Sequence, residues 1–264
     1  MGNSFENIKL VIWDMDQTFW EGILSEESVR WVDRNINIVR ELTDAGIMNS
    51  ICSKNDEKEV LSELDKIGIR ELFVFPSVNW ESKGPRIQEM LSNMGLRAQN
   101  VLFIDDEALN REEVVFYNDG IVVSGPEVLA SLAMYASDVQ KRDTEHLRLK
   151  QYKILEEKIE EKITSASNEE FLYNSNIRVE IGTDCSKNLE RISELVLRTN
   201  QLNYTKVRSS KEELQELLNN PAYRCGYVSV RDKFGDYGIV GFFAKKDMQL
   251  LHFLFSCRTI RNGH

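Results

Sequence analysis

Apolar and polar residues follow one another along the first half of the chain in blocks that predict strands alternating with helices. Short apolar runs predict buried strands at 10–13, 47–52, 72–75, 101–104 and 121–123. Between them, apolar residues recur with a helical period at 34–45, at 56–67 and from Pro85 to Gly95. This alternation predicts an α/β domain in which a parallel sheet is covered by helices on both faces.

The second half of the chain has a different pattern. The segment from Pro126 to about Ile163 has a helical pattern, and residues 164–168 interrupt it. Helices are then predicted at 189–197 and 212–218, and strands at 177–181, 227–230, 239–244 and 250–255. We therefore expect a first domain over 1–140, a helical linker over 141–168 and a partial α+β domain over 169–264.

Composition narrows the class of protein. The chain has 264 residues, of which 42% are hydrophobic, enough to fill sizeable cores. Its net charge of −10 argues against a nucleic-acid-binding surface. We expect neither an export leader nor a membrane span, because no apolar run approaches the roughly 18 residues that a span needs. The four cysteines lack Cys-x-x-Cys spacing, so we expect reduced thiols and a cytoplasmic protein.

The chemistry of the first domain begins at the end of its first strand. Asp14 and Asp16 follow the apolar run directly, and Thr18 is next in register. In open α/β sheets, ligands bind at the carboxyl ends of the strands. One carboxylate there can bind a hard cation and attack phosphorus, and a second, protonated, can protonate the leaving oxygen. Taken alone, the two acids favour an ordinary surface loop, because Asp-x-Asp is a common sequence.

Four further polar residues fall at strand ends or helix starts. Ser53 could donate a hydrogen bond to phosphate, and Lys83 adds positive charge near a helix N-terminus. Asp105 and Asp106 follow the fourth strand and, with Asp14, could hold Mg²⁺. Each has a simple alternative as a helix cap, a solvated lysine or a turn. Their joint position at one sheet edge favours a single site.

These residues, in this order, resemble the haloacid dehalogenase superfamily of aspartate-nucleophile phosphotransferases. The sequence segments around them are similar to those of the FkbH-like subfamily. The segments that carry this similarity are Asp14-Met-Asp-Gln-Thr-Phe-Trp-Glu-Gly22, Cys52-Ser-Lys-Asn-Asp56, Phe103-Ile-Asp-Asp-Glu107 and Arg111-Glu-Glu-Val114. The resemblance implies a three-layer Rossmann-like domain. Because neither 19–35 nor 56–82 has room for one, no large cap domain is expected.

The resemblance also implies roles for individual residues. Asp14 would be the nucleophile and a metal ligand, and Asp16 the general acid and base, counted among the metal ligands as well. Thr18 and Ser53 would contact phosphate, and Lys83 would offset negative charge. The Mg²⁺ site would be completed by Asp105 and Asp106. The pair Phe19 and Trp20 is expected to pack beside the site, with Trp20 a further candidate for substrate contact.

The second half resembles the same subfamily's linker and acetyltransferase-like (GNAT-like) domain. The supporting segments are Lys141-Arg-Asp-Thr-Glu145 with Tyr152, Arg198-Thr-Asn-Gln-Leu-Asn-Tyr-Thr205, Arg231-Asp-Lys-Phe-Gly-Asp236 and Ser256-Cys-Arg258. The helix that would follow the last segment in that fold is not found before His264, so we expect a partial domain. Cys257 is interpreted as a packing residue, with acyl carriage as the alternative.

The resemblance implies a substrate and a partner. FkbH-like proteins handle a phosphorylated three-carbon acid that is loaded on an acyl carrier protein in polyketide biosynthesis. Glu21 and Glu107 depart from the subfamily pattern and put the substrate in question. Two alternatives stay open: a generic phosphatase of the same superfamily whose C-terminal part is a lid or interface, and a non-catalytic scaffold that binds a carrier protein.

Overall fold

The protein was analysed as a computed structural model that describes residues 5–26, 28–140, 142–165, 167–199 and 202–256. The chain divides into two compact units, residues 1–159 and 160–264. Lys141, part of the motif expected for the linker, lies outside the described residues, as do Asn200, Gln201, Cys257 and Arg258 of the motifs expected for the second domain.

A five-stranded parallel sheet forms the centre of the first unit. Its strands are β1 (Leu10–Trp13), β4 (Met48–Ser53), β5 (Ser77–Val78), β6 (Val101–Ile104) and β7 (Val122–Ser124). They are arranged in the order β5-β4-β1-β6-β7. The central strand β1 is fully buried and pairs in parallel with both β4 and β6. A near-continuous apolar run is typical of such a strand, because both of its faces are covered.

Helices cover both faces of this sheet. They are α1 (Asp33–Asp44), α2 (Glu57–Lys66), α3 (Lys83–Met94), α4 (Ala108–Tyr117) and α5 (Leu129–Asp138). Val11 and Trp13 of β1 pack in one apolar cluster with α1, α2 and α5. Leu10 and Ile12 point to the other face and join a second cluster with α3 and α4. The expected three-layer α/β architecture with a parallel sheet is therefore confirmed.

The third strand lies further along the chain than its apolar pattern predicted. Residues 70–72 form a single 3₁₀ turn, and Phe73 makes only an isolated parallel bridge with Asn49. The paired strand is β5, at Ser77–Val78. The apolar run at 72–75 is instead core filling, since the side chains of Phe73 and Val74 are buried. Strand prediction from a short apolar run fails here because burial alone produces the same pattern.

The segment after β1 contains a small two-stranded flap. Strands β2 (Trp20–Glu21) and β3 (Arg30–Trp31) pair as a two-residue antiparallel ladder. The described part of 19–35 contains no further helix or strand before α1 begins at Asp33.

The helical stretch predicted from Pro126 to Ile163 is interrupted. Helix α5 ends at Asp138, α6 (Leu147–Thr164) begins at Leu147, and the described residues between them, 139–140 and 142–146, are not helical. Asp143 accounts for the new start, because its carboxylate accepts hydrogen bonds from the backbone N–H groups of Leu147 and Arg148. His146, immediately before α6, has a positive φ of 52°. The prediction of one continuous helix was wrong, because the hydrogen bonds to Asp143 start a new helix at Leu147. The apolar periodicity alone does not reveal this start.

The second unit is a mixed α+β fold. Helices α7 (Asn168–Asn174), α8 (Leu189–Arg198) and α9 (Lys211–Asn219) accompany strands β8 (Arg178–Gly182), β9 (Arg224–Asp232), β10 (Gly235–Lys246) and β11 (Gln249–Phe255). The strands form an antiparallel sheet in the order β11-β10-β9-β8. One face of this sheet and α8 share a buried apolar cluster that includes Ile192 and Phe242.

Across the described ranges, the helices are too short or too polar for any of them to traverse a lipid bilayer.

Candidate active site

Three adjacent strands deliver polar side chains to one edge of the first sheet. Asp14 directly follows β1, Ser53 ends β4, and Asp105 directly follows β6. Because these strands are parallel neighbours in the order β4-β1-β6, their carboxyl ends meet. Lys83, the first residue of α3, reaches the same place.

A tight turn after Asp14 returns the chain toward this edge. Gln17 adopts a left-handed backbone conformation with φ of 55°, and its N–H donates to the carbonyl of Gly22 at 3.3 Å. The N–H of Phe19 donates to the carbonyl of Met15 at 2.9 Å. This turn brings Thr18 back to the sheet edge, where it contacts Asp106.

Three carboxylates and one ammonium group form the centre of the site. Single oxygen atoms of Asp14, Asp105 and Asp106 all lie within 4.8 Å of one another. The Nζ of Lys83 donates to Oδ1 of Asp14 and to Oδ2 of Asp105, at 2.6 Å in both cases. Asp14, Asp105 and Lys83 are buried, whereas Asp106 is exposed. The buried lysine thus bridges two acids that would otherwise repel each other.

Burial and mutual charge perturb two of these groups. Burial raises the pKa of Asp14 to about 6, against the opposing attraction of the Lys83 ammonium, and the Asp105 carboxylate adds to the rise. For Lys83, burial favours the neutral amine, but the attraction of Asp14 and Asp105 outweighs it and raises the pKa of the ammonium. Lys83 is therefore charged at neutral pH.

Asp16 lies beside this cluster and is not part of it. Its Oδ1 accepts hydrogen bonds from the indole N–H of Trp20 at 2.8 Å and from the backbone N–H of Leu24 at 3.2 Å. Its Oδ2 accepts from Nδ2 of Asn55 at 3.0 Å. These donors fix the orientation of the carboxylate, and the structure does not bring it among the grouped metal-ligand candidates. The expected second carboxylate is therefore held in place, but as a separate group.

The two hydroxyls expected to contact phosphate have different surroundings. Ser53 is buried, its Oγ accepts from Asn55 at 3.3 Å, and its hydroxyl hydrogen-bonds to the carboxylate of Asp14. Thr18 donates to Oδ1 of Asp106 at 3.3 Å and accepts from the N–H of Asp106 at 3.0 Å. Thr18 therefore ties the first turn to the acidic loop, and its proton is engaged.

Trp20 is placed as a packing residue. Its side chain is 1% exposed, and its ring N–H is directed to Asp16. Phe19 packs between Trp13, Trp20 and Phe73 with edge-on ring contacts. The expectation that this aromatic pair packs beside the site is met, and the buried ring of Trp20 offers no surface for substrate.

Three residues that the sequence did not single out support the site. Asn55 holds Asp16, and Nδ2 of Asn110 donates to both oxygens of Asp105 at 3.2 Å. Arg86 donates to the carbonyl of Ser53 at 3.1 Å and to that of Asn79 at 3.0 Å. Asn55 stands two residues after Ser53, so its proximity was a usable signal. Asn110 and Arg86 had no comparable signal, because their contacts depend on how α3 and α4 pack against the sheet edge.

The donor set fits a hard divalent cation. Only oxygen atoms are offered, and two ligands on opposite sides of Mg²⁺ lie about 4.2 Å apart, close to the spread of this cluster. When all are ionised, the three carboxylates outweigh the single ammonium of Lys83 by two negative charges. The cluster could therefore hold a metal ion by charge as well as by geometry.

No protein-family model and no curated protein matches the chain. Several solved structures resemble part of the chain at low sequence identity. The N-terminal part of the protein BF1531 from Bacteroides fragilis, which contains a phosphatase domain complexed with Mg, is 21% identical with a TM-score of 0.41. That match covers 51% of this chain and 41% of the Bacteroides chain.

Two octulosonate 8-phosphate phosphatases are also similar. The cobalt-bound enzyme from Haemophilus influenzae is 18% identical over 64% of this chain and 98% of its own, with a TM-score of 0.38. The Yersinia pestis enzyme is 18% identical over 52% of this chain and 87% of its own, with a TM-score of 0.41. Likenesses this distant establish neither a fold nor an activity for the present chain, whose chemistry must be judged from its own site.

Proposed function

We propose that the chain is a metal-dependent phosphatase or phosphotransferase of the haloacid dehalogenase type, with Asp14 as nucleophile and Mg²⁺ as cofactor. The observation that carries the proposal is the cluster of Asp14, Asp105 and Asp106 around the buried ammonium of Lys83. Phosphoryl transfer requires positioning and neutralisation of charge more than any other contribution.

The residues of the chain have distinct roles in the proposed reaction. An oxygen of Asp14 attacks phosphorus as the bond from phosphorus to the leaving oxygen breaks, and Asp16 gives that oxygen a proton. Water then attacks the aspartyl-phosphate and loses its proton to Asp16. The bond between phosphorus and Asp14 breaks, which restores the carboxylate and releases phosphate.

Positioning comes from the groups around these two acids. Trp20 and Asn55 hold Asp16 through the hydrogen bonds that fix its carboxylate. The Lys83 ammonium and the Ser53 hydroxyl provide donors for the transferring phosphoryl group. Mg²⁺, when bound by Asp14, Asp105 and Asp106, would supply further neutralisation of phosphoryl charge.

Hydrolysis of an aryl phosphate tests the proposal. We expect activity with Mg²⁺, loss of activity with a chelator, and a fall of about a thousandfold or more in Asp14→Asn. Asp119→Asn, which removes an exposed acid from the turn after α4, is the matched control and should retain activity. Borohydride reduction of a trapped aspartyl-phosphate should convert residue 14 to homoserine. Magnesium-independent hydrolysis that survives in Asp14→Asn would contradict this role.

The resemblance to FkbH-like proteins supports a finer substrate within the same proposal, a phosphorylated three-carbon acid destined for an acyl carrier protein. Incubation with a bisphosphorylated three-carbon acid and a purified carrier protein tests it, because transfer would increase the mass of the carrier. Aryl phosphate hydrolysis without any mass increase would leave a generic phosphatase. Binding of the carrier protein with no phosphatase activity would favour the non-catalytic scaffold.

A further inference from the structure

The second unit contains a cavity of about 480 Å³ that none of the chemistry above uses. Its volume falls in the range of small-molecule sites. The lining comes from the turn that directly follows β8, from α9, from Tyr223, and from the strands β9 and β10. Leu218, Phe243 and the thiols of Cys185 and Cys225 form its apolar part.

Two cations face each other across the strands at this cavity. Arg224 of β9 and Lys245 of β10 are register partners, and both line the cavity. Like charges directly opposite each other in an antiparallel pair are destabilising. In the part of the chain that the structure describes, neither side chain has a carboxylate within ion-pair distance. A third cation, Lys246, has its Nζ 5.7 Å from the ring of Tyr223, another lining residue.

The acidic residue at the cavity does not offset this charge. Asp184 lines the cavity, but its carboxylate contacts the Lys187 ammonium at 3.2 Å and accepts from the hydroxyl of Tyr227 at 3.1 Å. Its charge is therefore already compensated. A cavity with excess positive charge stands out in a protein whose net charge is −10.

Hydroxyl groups complete the polar lining. Thr183 and Ser186 belong to the same turn as Asp184 and also line the cavity. Arginine, lysine and hydroxyl donors together suit phosphate-like or carboxylate oxygens, with arginine able to bind two oxygens at once. The apolar residues Leu218 and Phe243 suit a hydrocarbon group attached to that anion.

We propose that this cavity is a second ligand site, which binds a small organic anion through Arg224 and Lys245 and its apolar group against Leu218 and Phe243. The site is separate from the acid cluster of the first unit and does not depend on the function proposed for it.

Protection of Cys225 from alkylation provides a local test, because this half-buried thiol lines the cavity. The probe is phenylphosphonate, an anion with an aromatic ring and a phosphorus–carbon bond that a phosphatase does not hydrolyse as an ester. In the full chain, we expect phenylphosphonate to slow maleimide labelling of Cys225, measured on its peptide by mass spectrometry. Benzyl alcohol, which has a similar ring and no charge, should protect much less.

Variants distinguish a specific site from general binding. Arg224→Gln with Lys245→Gln should raise the phenylphosphonate concentration needed for half-protection by at least about tenfold, as expected when charge-assisted contacts are lost. Arg208→Gln removes an exposed cation elsewhere in the same unit and should leave that concentration unchanged. The absence of protection in the unmodified chain at about 10 mM probe would overturn the proposal. Equal protection in the double variant would overturn it as well.

Discussion

Gln17 shows how a single backbone conformation shapes the site. Its positive φ closes the turn that follows Asp14, and a side chain with a Cβ atom disfavours that conformation by about 1–2 kcal/mol. Asparagine tolerates the left-handed region better, because its short polar side chain can bond locally. A glutamine at this position therefore has an energetic cost that an asparagine would reduce.

We predict that Gln17→Asn raises the free energy of unfolding by a few tenths to about 1 kcal/mol. Urea denaturation of the two proteins measures the difference. Gln17→Val should do the opposite, because a β-branched side chain is less tolerant of positive φ. If Gln17→Asn were destabilising, the turn would owe more to contacts of the glutamine than to its backbone conformation.

His252 should make the second unit sensitive to acid. It is buried, its Nε2 lies 3.2 Å from the Ser209 hydroxyl, and among the described residues its Nδ1 has no hydrogen-bond partner. Burial lowers its pKa, and the carboxylate of Glu213 acts in the opposite direction. The folded state therefore resists protonation of this ring more than the unfolded chain does.

The sign of the pH dependence follows from that difference. A histidine whose folded pKa lies below its unfolded value of about 6.5 stabilises the fold fully above that pH, and this contribution is lost as the pH falls. We predict that His252→Gln shows a smaller loss of unfolding free energy than the unmodified protein between pH 7.5 and pH 5.5. Between pH 7.5 and 8.5 the two proteins should change equally. An unchanged acid-side loss in the variant would contradict a buried neutral ring.

At the scale of elements, Asp56 caps the start of α2. Its Oδ1 accepts hydrogen bonds from the N–H groups of Lys58 at 2.9 Å and Glu59 at 3.1 Å. These two donors would otherwise lack a partner within the helix.

We expect Asp56→Ala to lower the free energy of unfolding by about 1 kcal/mol, because both N–H groups lose their acceptor. Asp56→Asn keeps an acceptor at the cap and should lose much less. Denaturant unfolding compares the three proteins. Equal losses in the alanine and asparagine variants would show that the charge, and not the hydrogen bonds, stabilises the start of the helix.

Elements were predictable where local pattern and tertiary position agree. The strand at 101–104 matches its apolar run, because all four residues of the run are buried in the sheet and the strand has the same ends as the run. The third strand does not match its apolar run at 72–75, because Phe73 and Val74 are buried without belonging to a paired strand. Asn110 was missed for a related reason: its contact with Asp105 depends on how α4 packs, which local sequence does not encode.

For the whole molecule, metal binding should be coupled to stability. The acid cluster exists only in the folded chain, since its members come from β1 and the loop after β6, far apart in sequence. A ligand that binds only the folded state stabilises it, by about 2.7 kcal/mol at a free concentration one hundred times its dissociation constant.

We predict that Mg²⁺ raises the midpoint of thermal unfolding and that Asp105→Asn abolishes most of this increase, whatever its effect without metal. Asp119→Asn should show the full increase. Differential scanning calorimetry with Mg²⁺ and with a chelator measures it. A full metal-dependent increase in Asp105→Asn would remove Asp105 from the ligand set.

The sheet-edge grouping of Asp14, Ser53, Lys83 and Asp105 was predictable, because parallel strands bring their carboxyl ends together whatever the details of packing. The finer arrangement was not. Asp16 was expected among the ligands, and its spacing from Asp14 did not reveal that the ring N–H of Trp20 and the amide of Asn55 orient its carboxylate. Sequence spacing gives the distance along the chain between two acids but not the donors that orient each of them.

The Lys83 bridge has a consequence for how the site could be assembled. Since its ammonium contacts both Asp14 and Asp105, the mutual repulsion of these acids is countered as the chain folds. A cation that binds afterwards would meet carboxylates that are already close to their final positions. Its binding would therefore require little rearrangement of these side chains. A neutral side chain of similar length at position 83 should turn that ready-made arrangement into one that forms only when the ion is present.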